Sequence, residues 1–146
     1  MKEFLIKMIR SVDDNRSKLP RLLVGLVFFS EGIQKFLYPD LVGAGRFTRI
    51  GFENPEFLAY FVAVFEVVCG ALVLAGFMTR LAAIPLAVIM SVAIYTTKLP
   101  VLMKDGFWSM AHASRNDFSM TMMLIFLLIY GAGKYSFDKM LEQRIR

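Results

Sequence analysis

The sequence predicts an all-α, polytopic membrane protein: an antiparallel bundle of four transmembrane helices with a short amphipathic N-terminal helix. Three observations carry this. Of 146 residues, 57% are hydrophobic and only 20% are charged, whereas soluble domains run at about 45–50% and about 25%. The mean hydropathy is +0.56. Four apolar segments, at about 19–38, 57–77, 81–101 and 118–133, come close to or reach the roughly 20 residues a helix needs to cross the hydrocarbon core. Every backbone N–H and C=O must be paired in lipid, so such segments are expected as helices. Barrel strands would be about 10 residues long and alternate in polarity.

Residues 1–18 form the first unit, a cytoplasmic interfacial segment. They hold Lys2, Lys7, Arg10, Arg16 and Lys18, with Phe4, Leu5, Met8, Ile9 and Val12 at helical spacing. That pattern fits a helix lying on the membrane surface; a frayed tail is the alternative. A cleaved signal peptide is not expected. The apolar run that follows is too long, contains Glu31 and Lys35, and is followed by no small-x-small cleavage site.

The four-helix domain covers 19–133. Span one opens with Pro20, tolerated in a first helical turn. Span two starts near Pro55 and ends at "GFMTR", residues 76–80, a tight turn in which Gly76 suits a helix end and Thr79 an N-cap. Spans two and three are therefore expected as antiparallel neighbours. Pro85 should kink span three or mark a local break. Span four is the shortest, but residues 120–130 are densely apolar. Residues 39–56, with the glycine cluster "GAG" at 43–45, and 98–116 are expected as long loops. Residues 134–146 form a basic cytoplasmic tail with Lys134, Lys139, Arg144 and Arg146.

Lysine and arginine set the orientation. Eleven fall on the side of the termini and five on the other, with Lys35 inside span one. The positive-inside rule then places both termini in the cytoplasm and the protein in the inner membrane. This asymmetry accounts for the net charge of +5, and no base-reading element accompanies it, so nucleic acid is not an expected partner. The single cysteine, Cys69, rules out an intrachain disulfide and the Cys-x-x-Cys chemistry of membrane dithiol enzymes.

Charges inside a bilayer are costly, about 2.5–3.5 kcal/mol each on insertion scales, and persist when paired or facing a wet cavity. Glu31 and Lys35 are spaced i, i+4 in the favourable order. Glu66 lies within span two, His112, Arg115 and Asp117 lie at the approach to span four, and Lys98 closes span three. Thr96, Thr97, Ser119 and Thr121 add hydroxyls at similar depth. These groups sit in the outer half of four helices. One reading is an outward-facing polar pocket lined by Glu31, Lys35, Glu66, His112, Arg115 and Asp117, able to hold a small polar molecule, a quinone head group or a proton. The other is a set of structural ion pairs: Glu31 with Lys35, Arg115 with Asp117, Glu66 with Arg115 or a backbone donor.

A metal is not expected. His112 is the only histidine, which excludes bis-histidine haem and three-histidine zinc. Ten methionines are scattered over several helix faces and read as core and lipid contact. Trp108 with Phe107 reads as an interfacial anchor. Gly25, Gly32, Gly70 and Gly76 read as sites of close helix contact.

The order of these features resembles one family. "RLLVGLVFFSEGIQKF" (21–36), "FEVVCGALVLAGFMTRLAA" (65–83) and "YGAGKYSFD" (130–138) are similar to the first span, the second span with its turn, and the exit from the fourth span of DoxX proteins. "GFWSMAHASRNDFSM" (106–120) is similar to the approach to their last span in one subgroup. The likeness runs over roughly residues 20–138. It implies a four-helix membrane bundle. It also implies a link to thiosulfate:quinone oxidoreductase or to oxidative-stress and thiol-redox complexes, although some members have no known activity. No flavin, haem or iron–sulfur motif is present, so no intrinsic cofactor is expected. The expected role is a non-catalytic or accessory subunit of a quinone- or thiol-linked redox system. Its partners would be the lipid bilayer, redox proteins, a quinone or small thiol-type ligand, and further copies of itself. A small-molecule transporter and a pure scaffold are the alternatives.

Overall fold

The computed structural model describes residues 15–145. The N-terminal amphipathic helix expected over residues 1–18 therefore lies almost wholly outside the described residues. Five helices follow: α1 (Lys18–Leu37), α2 (Ala44–Ile50), α3 (Pro55–Ala75), α4 (Thr79–Tyr130) and α5 (Phe137–Ile145). The described residues contain no strand. Two helices, Pro55–Ala75 and Thr79–Tyr130, are long and apolar enough to cross a membrane by length and composition. The 20 residues of α1 also hold Arg21, Glu31 and Lys35.

Local chemistry places the helix ends. Pro20 lies in the first turn of α1, and the helix stops at Tyr38, because a residue before proline is pushed out of the helical region. Pro55 begins α3. Gly76 ends it in the left-handed conformation (φ 68°), and the Phe77 N–H reaches back to the Leu72 carbonyl at 3.0 Å.

Helix α4 departs from the expected two spans and loop. Residues 98–116 are helical, and the chain leaves helical geometry inside α4 only at Gly106 (φ 80°, ψ 179°). The break therefore falls at the residue without a Cβ, and no non-helical residue occurs at Pro85. The two limbs of α4 fold back on each other. Arg80 donates to the Ile129 carbonyl at 2.6 Å near one end, and Lys98 pairs with Asp117 at 3.0 Å near the other.

Helices α1 and α3 run antiparallel with their backbones almost touching. A Cβ placed on Gly32 would lie 2.8 Å from the Ala63 carbonyl oxygen and the Val67 nitrogen. One on Gly70 would lie 2.7 Å from the Phe29 nitrogen. Small residues allow this approach, as they do at membrane helix contacts generally. The α4 limbs pack across this pair. The core joins Val24 and Phe28 of α1 and Cys69 and Val73 of α3 to Leu86, Met90, Leu124 and Leu127 of α4.

A polar clamp closes the end of the bundle where α1 begins. Arg21 is buried and donates through Nη1 to the carbonyls of Ala132 (3.2 Å) and Tyr135 (2.8 Å). The α4 N-terminus is capped from a distance. The Asp138 carboxylate accepts from the backbone N–H groups of Met78 (2.6 Å) and Thr79 (2.9 Å). Thr79 is thus the first helical residue rather than the expected cap. Burial pushes the Asp138 carboxyl above the ordinary carboxylate range, opposed by the N–H groups it accepts from and by Arg21. Asp138→Ala should lower the thermal midpoint, with a cost of about 0.5–2 kcal/mol as for other lost N-caps. Thermal unfolding of the purified variant in detergent measures it; an unchanged midpoint would show that the cap contributes nothing.

Candidate functional site

At the opposite end, α1 and α3 each turn a charged residue inward. In a helix the Cα–Cβ bond tilts toward the N-terminus. On antiparallel helices this tilts Lys35 of α1 and Glu66 of α3 toward each other. Lys35 Nζ donates to Glu66 Oε2 at 2.6 Å, with the side chains only 8% and 5% exposed. Glu31 Oε2 is 3.7 Å from the same ammonium and is more open to the outside. The i, i+4 partner expected for Lys35 is therefore secondary. The close α1–α3 approach brings a carboxylate from another helix nearer than the one on its own.

A cavity of about 560 Å³ opens beside this pair. α1 contributes Val27, Phe28, Glu31 and Lys35, and α3 contributes Leu58, Phe61, Val62 and Glu66. The first limb of α4 supplies Ile89, Ala93, Thr96 and Thr97, and the second supplies Asn116, Asp117 and Met120. Helix α2 supplies Arg46, Phe47 and Ile50. The walls are mostly apolar, with a few charged and hydroxyl groups converging, a common composition for small-molecule sites. The hydroxyls of Thr96 and Thr97 donate to carbonyls one turn earlier, at 2.8 and 2.6 Å, leaving them as acceptors toward the space.

Of the six residues named from the sequence, Glu31, Lys35, Glu66 and Asp117 line this cavity, and His112 and Arg115 do not. Both lie exposed on the second limb of α4, where Arg115 Nη1 is 3.1 Å from His112 Nε2. Asp117 pairs with Lys98 rather than Arg115, because the fold-back at Gly106 sets the two limbs side by side. Arg46 was not anticipated; its nearest sequence signal is the "GAG" stretch just before it. Among the described residues no group of three His, Cys, Asp or Glu side chains could hold a metal ion. Cys69 is buried and free.

An all-α chain with long apolar helices, inward-facing charges and a cavity at one bundle end defines a small membrane protein. The DoxX family model matches residues 18–99, and the chain belongs to the DoxX family. Rv3486 of Mycobacterium tuberculosis, named as an uncharacterized membrane protein, is 55% identical over 130 residues, covering 85% of this chain and 80% of its own. A Bacillus subtilis protein named "Putative oxidoreductase CatD" is 37% identical over 82 residues, 56% of this chain and 58% of its own length. No solved structure matches.

Proposed function

We propose that this DoxX protein crosses the cytoplasmic membrane four times, with both termini in the cytoplasm, and serves as an accessory subunit of a membrane redox system. Its cavity would face outward and receive a quinone or a small thiol-type molecule. The two limbs of α4, 79–105 and 107–130, each exceed the roughly 30 Å hydrocarbon core at about 1.5 Å per helical residue. With α1 and α3 they make four crossings. The distribution of lysine and arginine supports the orientation. The name carried by the Bacillus subtilis relative supports a redox setting.

The observation that carries the reading is the buried Lys35–Glu66 pair on the wall of a mostly apolar cavity. Ionisable groups are kept at such depth chiefly where they have work to do. Lys35 and Arg46 would donate to a carbonyl or anionic oxygen of the guest, Arg46 taking the place expected for Arg115. Glu66 and Asp117 would hold their charges or pass protons, and the apolar walls would take the guest's body.

Mass spectrometry of small molecules that co-purify with the protein tests this. Ala93→Trp should fill the cavity and leave the ion pair intact. A quinone or thiol-type compound retained by the wild type and lost from Ala93→Trp is the expected result. Equal recovery of every small molecule from both proteins would refute a guest-binding cavity.

A further inference from the structure

Helix α5 has two faces of different chemistry. Asp138 and Glu142, one turn apart, point into the bundle and are 1% and 4% exposed. Asp138 caps α4, and Glu142 pairs with Lys139 at 3.4 Å. Phe137, Met140 and Arg144, at i, i+3 and i+7, are exposed, as is Lys134 just before the helix. The two acids that α5 carries are thus turned inward. Every exposed charged side chain among the described residues at this end of the bundle is cationic.

The position of α5 is also set. The Asp138 N–H donates to the Gly76 carbonyl at 2.9 Å, and Arg21 holds the Tyr135 carbonyl. The helix is therefore tied to the level at which α3 ends and α4 begins. For a chain embedded through those helices, that level is the boundary between acyl chains and headgroups.

We propose that α5 is a lipid-binding element that docks on the anionic phospholipids of the adjoining leaflet. Phe137 and Met140 enter the acyl boundary, and Lys134 and Arg144 meet the headgroup phosphates. This rests on the reading that α1, α3 and α4 cross the bilayer. Apolar side chains set beside basic ones are the pattern by which short helices lie in an interface. Basic side chains at that depth favour anionic over zwitterionic lipid. A second copy of the chain would not be selected by this surface, because like charges would meet.

The test uses the full chain in nanodiscs. Trp108 is the only tryptophan, so Trp108→Phe gives a silent background into which Met140→Trp places one indole. Nanodiscs of phosphatidylcholine, with or without phosphatidylglycerol, are made with brominated or ordinary acyl chains. In phosphatidylglycerol discs the emission should be quenched by bromine, as expected of an indole seated at the acyl boundary. The quenching should fall in pure phosphatidylcholine, and the difference should vanish in Lys134→Glu/Arg144→Glu. Val68→Trp, on the exposed side of α3, is the reference and should be quenched in both lipids. Quenching at Val68→Trp without quenching at Met140→Trp overturns the proposal alone. Absence at both overturns the membrane-crossing reading and the proposal with it. Equal quenching in the two lipids overturns the anionic selectivity. Blue-shifted emission that bromine does not quench shows that protein covers the face, and overturns it as well.

Discussion

Glu66→Ala is expected to destabilise the protein by about 3–5 kcal/mol, because it leaves the Lys35 ammonium buried without its closest partner. Glu31, at 3.7 Å and more exposed, recovers only part of the loss. The double variant Lys35→Met/Glu66→Leu should restore most of it, since an apolar pair of similar volume removes the desolvation cost of both ions. Thermal unfolding in detergent of the wild type, Lys35→Met, Glu66→Leu and the double variant gives a coupling free energy for the pair. A Glu66→Ala protein as stable as wild type would show that the Lys35 side chain does not depend on this partner, and the site would lose its central feature. The double variant also separates stability from use: it should fold and fail to retain the guest that the wild type carries.

Gly70→Ala should cost about 1–3 kcal/mol, the range for added methyl groups in packed interiors. The new Cβ would meet the Phe29 nitrogen at 2.7 Å and the Gly25 carbonyl at 3.1 Å. Both are backbone atoms, which cannot rotate aside as a side chain would, so α1 and α3 must separate. The Lys35–Glu66 bond, formed across the same seam, should lengthen with them. Loss of guest retention should therefore accompany the loss of stability. Ala71→Leu, on the exposed side of α3, is the control and should stay within about 0.5 kcal/mol. Equal effects at positions 70 and 71 would mean that the two helices do not touch as described.

Helix positions and glycine contacts were largely legible in the residues. Hydropathy and length marked the apolar segments, and Pro55 and Gly76 marked two ends. The glycines at 25, 32 and 70 fall on the seam between α1 and α3. These are local properties, written along one helix at a time. The motifs at 21–36 and 65–83 also pointed to the DoxX family, which the match over residues 18–99 shows.

Partner choice was decided by the tertiary structure. Lys35 had a carboxylate one turn away on its own helix, and took one on α3 because the glycine seam brings that backbone closer. Asp117 had Arg115 two residues away, and took Lys98 because α4 folds back at Gly106. Arg46 reached the cavity through a short helix inside what read as a loop. Asp138 reached the start of α4 from 60 residues along the chain. Spacing along the chain gives the candidates for an ion pair. Which two meet depends on how closely and at what rotation the helices approach, and that is a property of the whole bundle.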